Sequence, residues 1–256
     1  MEMIAVSSPV LSMLDFEMAL GFVSQKFKAW EVVGEGLHFL PEIEETFLDA
    51  APSYDMKFSA HGPLSDVNIG SLNPRLREAA TREIVDGLNA ASRMGFEVYT
   101  VHPGFWSPIG MLDRDAVYKA VSNSLSEIDR ASKEVGIKVA LENMPDMAIS
   151  MGKTPEDLFS MMEGTDLGIC FDVGHANTAG TIQDFLRCSE RFVNVHIHDN
   201  HGNWDEHLPV GEGNIDFQKV LHGLRNYKGR LVVESRSLMD AEISRERLTN
   251  MLGLSS

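Results

Sequence analysis

The chain reads as an α/β protein, a single (β/α)8 TIM barrel. Strand-like and helix-like patterns alternate eight times along it. Six of the strand-like runs end on His, Asp or Glu: KFSAHGP, EVYTVHPG, KVALEN, LGICFDVGH, FVNVHIHD and RLVVES. Its 256 residues match the usual length of one such barrel. Alternation alone would also suit an open doubly wound sheet. That fold concentrates its site at one switch point, whereas here the polar strand ends run from the third strand to the eighth.

The elements follow in order. Residues 3–7 form the first strand, and 15–28 a helix with Asp15 at its N-cap. Strand 29–33 precedes an acidic helix over 41–50 with proline in its first turn. Strand 57–61 leads to a long amphipathic helix, 74–94, and strand 97–102 to a helix over 113–135 that stops at Gly136. After strand 138–142, Thr154 and Pro155 give a cap-and-proline start. Strand 168–172 is paired with helix 182–190, strand 192–198 with helix 217–227 capped by Asp216, and strand 230–234 with helix 241–252. No linker, low-complexity tract or charge block divides the chain, so one domain over 1–256 is expected.

The charge narrows the partners. Lys and Arg number 22 against 38 Asp and Glu, a net −16. Such a field repels polyanions and anionic membranes over about 8–10 Å at cellular salt. No apolar run approaches the ~20 residues of a membrane span. The start, MEMIAVSSPV, lacks the basic region of a signal peptide. Two cysteines, Cys170 and Cys188, make no disulfide framework, and a cytoplasmic location is expected.

The strand ends supply His61, His102, Glu142, Asp172, His175, His196 and Glu234. The spacing Asp-x-His adds Asp205 and His207 from the loop after the seventh strand. Imidazole nitrogens and carboxylate oxygens suit Zn²⁺ or Mn²⁺, with Co²⁺, Fe²⁺ and Mg²⁺ further options, and this many donors could hold one to three ions. Without a cation the carboxylates would repel one another and some would protonate. Cys170 is expected in the core and pointing elsewhere by strand parity, His198 pointing away from the mouth, and His38, His201 and His222 at the surface. Arg236 is a candidate phosphate partner. Trp106 and Trp204 lie in mouth loops where a ring could stack on a sugar. GEGN (Gly211 to Asn214) could offer amides to an anion or be only a tight turn, and Glu31 could reach substrate or form a buried ion pair.

The segments HGP, HPG, LEN, FDVGH, VHIHD, DEHLPVGEGNIDF and VVES resemble the xylose isomerase-like TIM-barrel superfamily, from His61 to Glu234 and in order. That group includes sugar isomerases, epimerases and the apurinic/apyrimidinic endonuclease IV family. In the isomerase and epimerase branches, the resemblance implies that Glu142, Asp172, His196 and Glu234 hold one divalent metal. Glu142 and Glu234 would also move the proton through an ene-diolate, while His175 binds substrate or a metal. In the endonuclease branch all nine positions would hold three zinc ions. Barrels of this group often dimerise, which leaves room for a homodimer, though no residue marks an interface.

Electrostatics separates the branches. The mouth loops carry only two basic residues, Lys153 and Arg236. A DNA duplex commonly needs ~6–10 phosphate contacts, mostly from Lys and Arg. The expected function is therefore a metal-dependent isomerase or epimerase of a sugar or sugar phosphate. A zinc-dependent abasic-site endonuclease is the alternative, and a metal-loaded binding module without turnover comes third.

Overall fold

The computed structural model describes residues 3–254. Eight parallel strands close into a barrel in sequence order. They are β1 (Ile4–Ser7), β2 (Ala29–Val33), β3 (Lys57–His61), β4 (Val98–Val101), β5 (Lys138–Glu142), β6 (Gly168–Asp172), β7 (Phe192–Ile197) and β8 (Leu231–Glu234). Closure is made by β1 against β8, in a register that pairs Ser7 with Glu234. The helices are α1 (Phe16–Ser24), α2 (Leu40–Ala50), α3 (Pro74–Arg93), α4 (Arg114–Val135), α5 (Pro155–Met161), α6 (Val173–Ala179), α7 (Ile182–Leu186), α8 (Phe217–Gly223) and α9 (Leu238–Leu252). None of them is long and apolar enough to cross a membrane.

Local chemistry sets these boundaries. Asp15 accepts the amides of Glu17 and Met18 to open α1, and Asp113 accepts that of Ala116 to open α4. Gly136 ends α4 in the left-handed region at φ 76°, where a side chain would be strained. Helix α9 starts three residues earlier than its apolar pattern suggests, because Ser237 caps it through the Asp240 amide. Helix α6 was not foreseen. It begins directly at the end of β6, with Asp172 accepting the His175 amide at 2.6 Å as its cap.

Most apolar packing lies between strands and helices. Phe16 stacks on Trp30 with ring centres 5.5 Å apart, and Phe47 meets Phe58 and Phe96 edge-on at 4.9 and 5.0 Å. Inside the barrel the layer beneath the mouth is polar. Glu31, Ser59, Thr100 and Asn194 are all fully buried. Asn194 donates to Glu31 at 2.7 Å and to Thr100 at 2.9 Å, and Ser59 donates to Glu31 at 3.0 Å. Such a layer is tolerated because most of its polar atoms pair with one another, Asn194 Oδ1 alone among these four residues being left without a partner, and it forms the floor of the site above.

Candidate metal centre

The inner donors sit where strands end. Glu142 closes β5, Asp172 closes β6, Glu234 closes β8, and His196 is the penultimate residue of β7. Their ligand atoms all lie within 4.8 Å of one another. His196 Nδ1 stands 3.0 Å from Glu234 Oε1, 3.5 Å from Glu142 Oε1 and 3.9 Å from Asp172 Oδ2. Its other nitrogen, Nε2, meets Glu31 Oε1 at 2.7 Å, which fixes the ring and leaves Nδ1 facing the carboxylates. Glu142 also gathers His61 and His102, whose Nε2 atoms stand 3.0 and 3.2 Å from its Oε2. His61 is oriented in turn by the Gly62 carbonyl, 2.7 Å from its Nδ1.

The outer donors come from α6 and the loop after β7. His175 Nδ1 stands 2.8 Å from the Asn143 carbonyl, and its Nε2 faces Asp205 Oδ2 at 3.4 Å. His207 Nε2 lies 3.0 Å from the same oxygen. The loop is braced at its base. Asp199, fully buried, accepts the amides of Gly211 and Gly213 at 2.9 Å and of Ile215 at 3.3 Å, and its backbone pairs with Leu208.

Burial opposes charge on His175, His196, Glu234 and Glu142, but the charges gathered around them prevail. Burial alone would lower His175, yet Asp172 and Asp205 raise it well above the ordinary imidazole value. His196 moves the same way. Burial alone would raise Glu234, yet His196 holds it down at about 2. Glu142 is held well below the carboxylate range, because His196, His102 and His175 together outweigh burial. His102 goes the other way, because burial outweighs the pull of Glu142 and favours neutral imidazole, the form that ligates metals.

A divalent cation fits this donor set. Asp172 Oδ2, His196 Nδ1, Asp205 Oδ1 and both ring nitrogens of His198 are buried without a hydrogen-bond partner. Buried polar atoms are normally paired. Donors about 2.0–2.1 Å from a shared tetrahedral ion stand about 3.3–3.4 Å apart. Most of the separations above fall near that value.

All nine donors expected from the sequence line this one mouth; other expectations need correction. His198, expected to point away, is fully buried with Nε2 3.2 Å from Asp172 and 3.4 Å from Asp205. Period-two alternation itself puts it on the face of His196, two residues earlier, and the chain keeps that direction one residue past β7. Cys170 does not point elsewhere: it shares parity with Asp172, and its sulfur belongs to a compact group with Glu142 and His196. His38 is buried, not at the surface, with Nε2 3.0 Å from the Leu14 carbonyl. The GEGN amides do meet an anion, but it is the protein's own Asp199. Trp106 is packed against Tyr118 beneath Arg114, while Trp204 stands 72% exposed beside Asp205 and Arg236. Glu31 lies in the floor as the partner of His196. Glu35, overlooked in the sequence, accepts both the amide and the hydroxyl of Ser65 and so ties two mouth loops together.

The basic side chains of the mouth loops are engaged. Lys153 pairs with Asp146 at 2.7 Å, and Arg236 donates to the Asp205 carbonyl at 3.1 Å. A cleft of about 290 Å³ opens beside His102, walled by Leu64, Val67, Phe105, Met144 and Met147.

With fold and donor geometry in place, the relatives agree. A model of the xylose isomerase-like TIM barrel family matches residues 22–251, and the chain belongs to that family. It is similar to the solved structure of a D-tagatose 3-epimerase-like protein, with a TM-score of 0.91, 34% identity, and 98% of this chain and 97% of that one covered. An uncharacterized protein of Methanocaldococcus jannaschii, MJ1311, is 38% identical over 239 residues, covering 88% of this chain and 80% of its own. A protein of Aquifex aeolicus named "Probable endonuclease 4" is 26% identical over 230 residues, covering 82% of this chain and 78% of its own.

Proposed function

We propose that this protein is a divalent-metal-dependent isomerase or epimerase of a sugar or sugar phosphate. The observation that carries the reading is that Glu142 and Glu234, from β5 and β8, converge on the same nitrogen of His196, Nδ1, at 3.5 and 3.0 Å. Two carboxylates so placed can remove a proton beside a carbonyl and return one to the other face.

Glu142, Asp172, His196 and Glu234 would hold the cation, zinc or manganese by their donor chemistry, which supplies Lewis-acid polarisation of the substrate carbonyl. Glu142 takes the carbon-bound proton and Glu234 delivers its counterpart. Both are ionised at neutral pH, with Glu234 at about 2, so Glu234 must first take up a proton from a substrate hydroxyl or water before it returns one to carbon. Carboxylates held that low are weak bases, so acidity induced in the substrate must carry much of the rate. Glu31 keeps His196 in one tautomer through its 2.7 Å contact. The substrate body lies in the cleft beside His102, whose 290 Å³ suits a small molecule. His175 faces Asp205 and serves as an outer donor.

The second reading, abasic-site hydrolysis, is favoured by the complete nine-donor set and by the Aquifex relative. Against it stand the engaged Lys153 and Arg236 and the net charge of −16. Incubation with ketoses and their phosphates in heavy water separates the two. Deuterium uptake beside the carbonyl, lost with a chelator or in Glu234→Gln, is the expected result. Nicking of an abasic duplex without exchange into any ketose overturns the proposal.

A further inference from the structure

We propose that His198 is the fourth protein donor of a second cation site, with His175, Asp205 and His207, and that this site is closed to substrate. The proposal rests on the metal-dependent reading only in taking cations to be present. The four residues offer ligand atoms within 4.8 Å of one another. His198 Nε2 and His175 Nε2 each stand 3.4 Å from an Asp205 oxygen, and His207 Nε2 stands 3.0 Å from one. These are near the edge lengths of a tetrahedral zinc site with bonds of about 2.0–2.1 Å.

Three further observations single out His198. Its ring is completely buried, yet neither nitrogen makes a hydrogen bond. It packs flat on His207, ring centres 4.0 Å apart and planes 18° apart. It also occupies space that only a glycine at 174 leaves open, since a Cβ there would meet its Cε1 at 2.0 Å. His207 adopts φ 53°, the only positive value at a non-glycine among the described residues. Such a conformation carries a cost that surrounding contacts must offset, and it aims the ring at Asp205. At near-tetrahedral spacing the outer four donors leave no open position, the mark of structural metal sites, whereas the inner four, as much as 3.9 Å apart, leave room for a further ligand. The site would pin the loop after β7, leaving the inner group to face substrate.

The competing role for His198 is to orient Asp172, whose Oδ1 lies 3.2 Å from its Nε2. Loss of an orienting neighbour weakens metal affinity by about 10–100-fold; loss of a ligand should exceed that and remove the equivalent. The experiment is zinc analysis of dialysed wild type, His198→Asn, His207→Asn and Gly174→Ala, alongside cobalt titration of the wild type. Expected are one fewer zinc per chain in all three variants and an intense four-coordinate cobalt spectrum for the matching wild-type equivalent. The proposal is overturned if His198→Asn keeps the wild-type zinc count while His207→Asn loses one, or if that equivalent gives the weak spectrum of six-coordinate cobalt. Should the variants fail to fold, the wild-type cobalt spectrum decides alone. Neither readout involves sugar turnover, so failure here is separable from failure of the isomerase reading.

Discussion

Two groups of donors share the mouth, and they are held by different means. Glu142, Asp172, His196 and Glu234 ride on β5 to β8, where ladder pairings such as Asp172 with His196 fix each backbone against its neighbour. Asp205 and His207 ride on a loop with no ladder of its own beyond the single bridge of Asp199 to Leu208. In place of a sheet, that loop is held by one carboxylate, Asp199, which gathers the amides of Gly211, Gly213 and Ile215. Sheet register fixes the backbone of the inner group, with Glu31 setting only the His196 ring, whereas the loop relies on the buried Asp199 carboxyl to hold its backbone.

The sharpest way to break this division is Glu142→Gln, because Glu142 alone touches His61, His102, His175 and His196. Deuterium exchange into substrate should fall by about 10²–10⁴-fold, with bound metal lost as well. Retained exchange would show that the inner group is not the reacting one. Glu31→Gln tests the inner group selectively. Metal affinity measured against a competing chelator should drop about 10–100-fold for one equivalent, leaving the outer equivalent unchanged. Asp199→Asn tests the loop: stability in urea should fall by about 1–3 kcal/mol through weakened buried hydrogen bonds, and limited proteolysis should cut first between Asn200 and Leu208. Cutting elsewhere would mean that Asp199 is not the brace.

The smallest effect is graded with pH. In the metal-free protein His175 and His196 are raised above the unfolded value, about 6.5. Their contribution to stability is therefore complete below that pH and is lost as pH rises through the raised folded values. Glu142 and Glu234 are depressed, so theirs is present above the ordinary carboxylate value and lost as pH falls toward about 2. Because a cation must displace the histidine protons, the rise in melting temperature on adding zinc should shrink as the buffer is taken from about pH 8 to about pH 6. A constant rise across that range would exclude proton competition at the imidazoles.

Four strands, β2, β3, β5 and β6, have the boundaries their patterns announce, because each apolar run is punctuated by a charged or capping residue. Seven of the nine candidate donors were visible for the same reason, since His, Asp and Glu at equivalent strand ends meet at the mouth of a closed barrel; Asp205 and His207 were visible only through their Asp-x-His spacing. What escaped the sequence shares a physical cause. Helix α6 and His38 depend on the chain's path in the segments after β6 and β2, where period-two alternation has stopped, whereas His198 shares the parity of His196 and was legible from it. For Glu31 the sequence left two readings open, substrate contact or a buried pair, and Ser59, Asn194 and His196 closing around it select the second. Trp106 lies in a loop yet is buried, because Tyr118 and Arg114 of α4 cover it.

The knot of amides around Asp199 has a kinetic consequence. Because Asp199 braces the loop independently of any ligand bond, little chain entropy should remain to be lost when an ion is captured. Uptake of the ion should then be governed by shedding of its own water and of the imidazole protons. Its escape should be slow, since leaving would strand like charges with nothing to relax into.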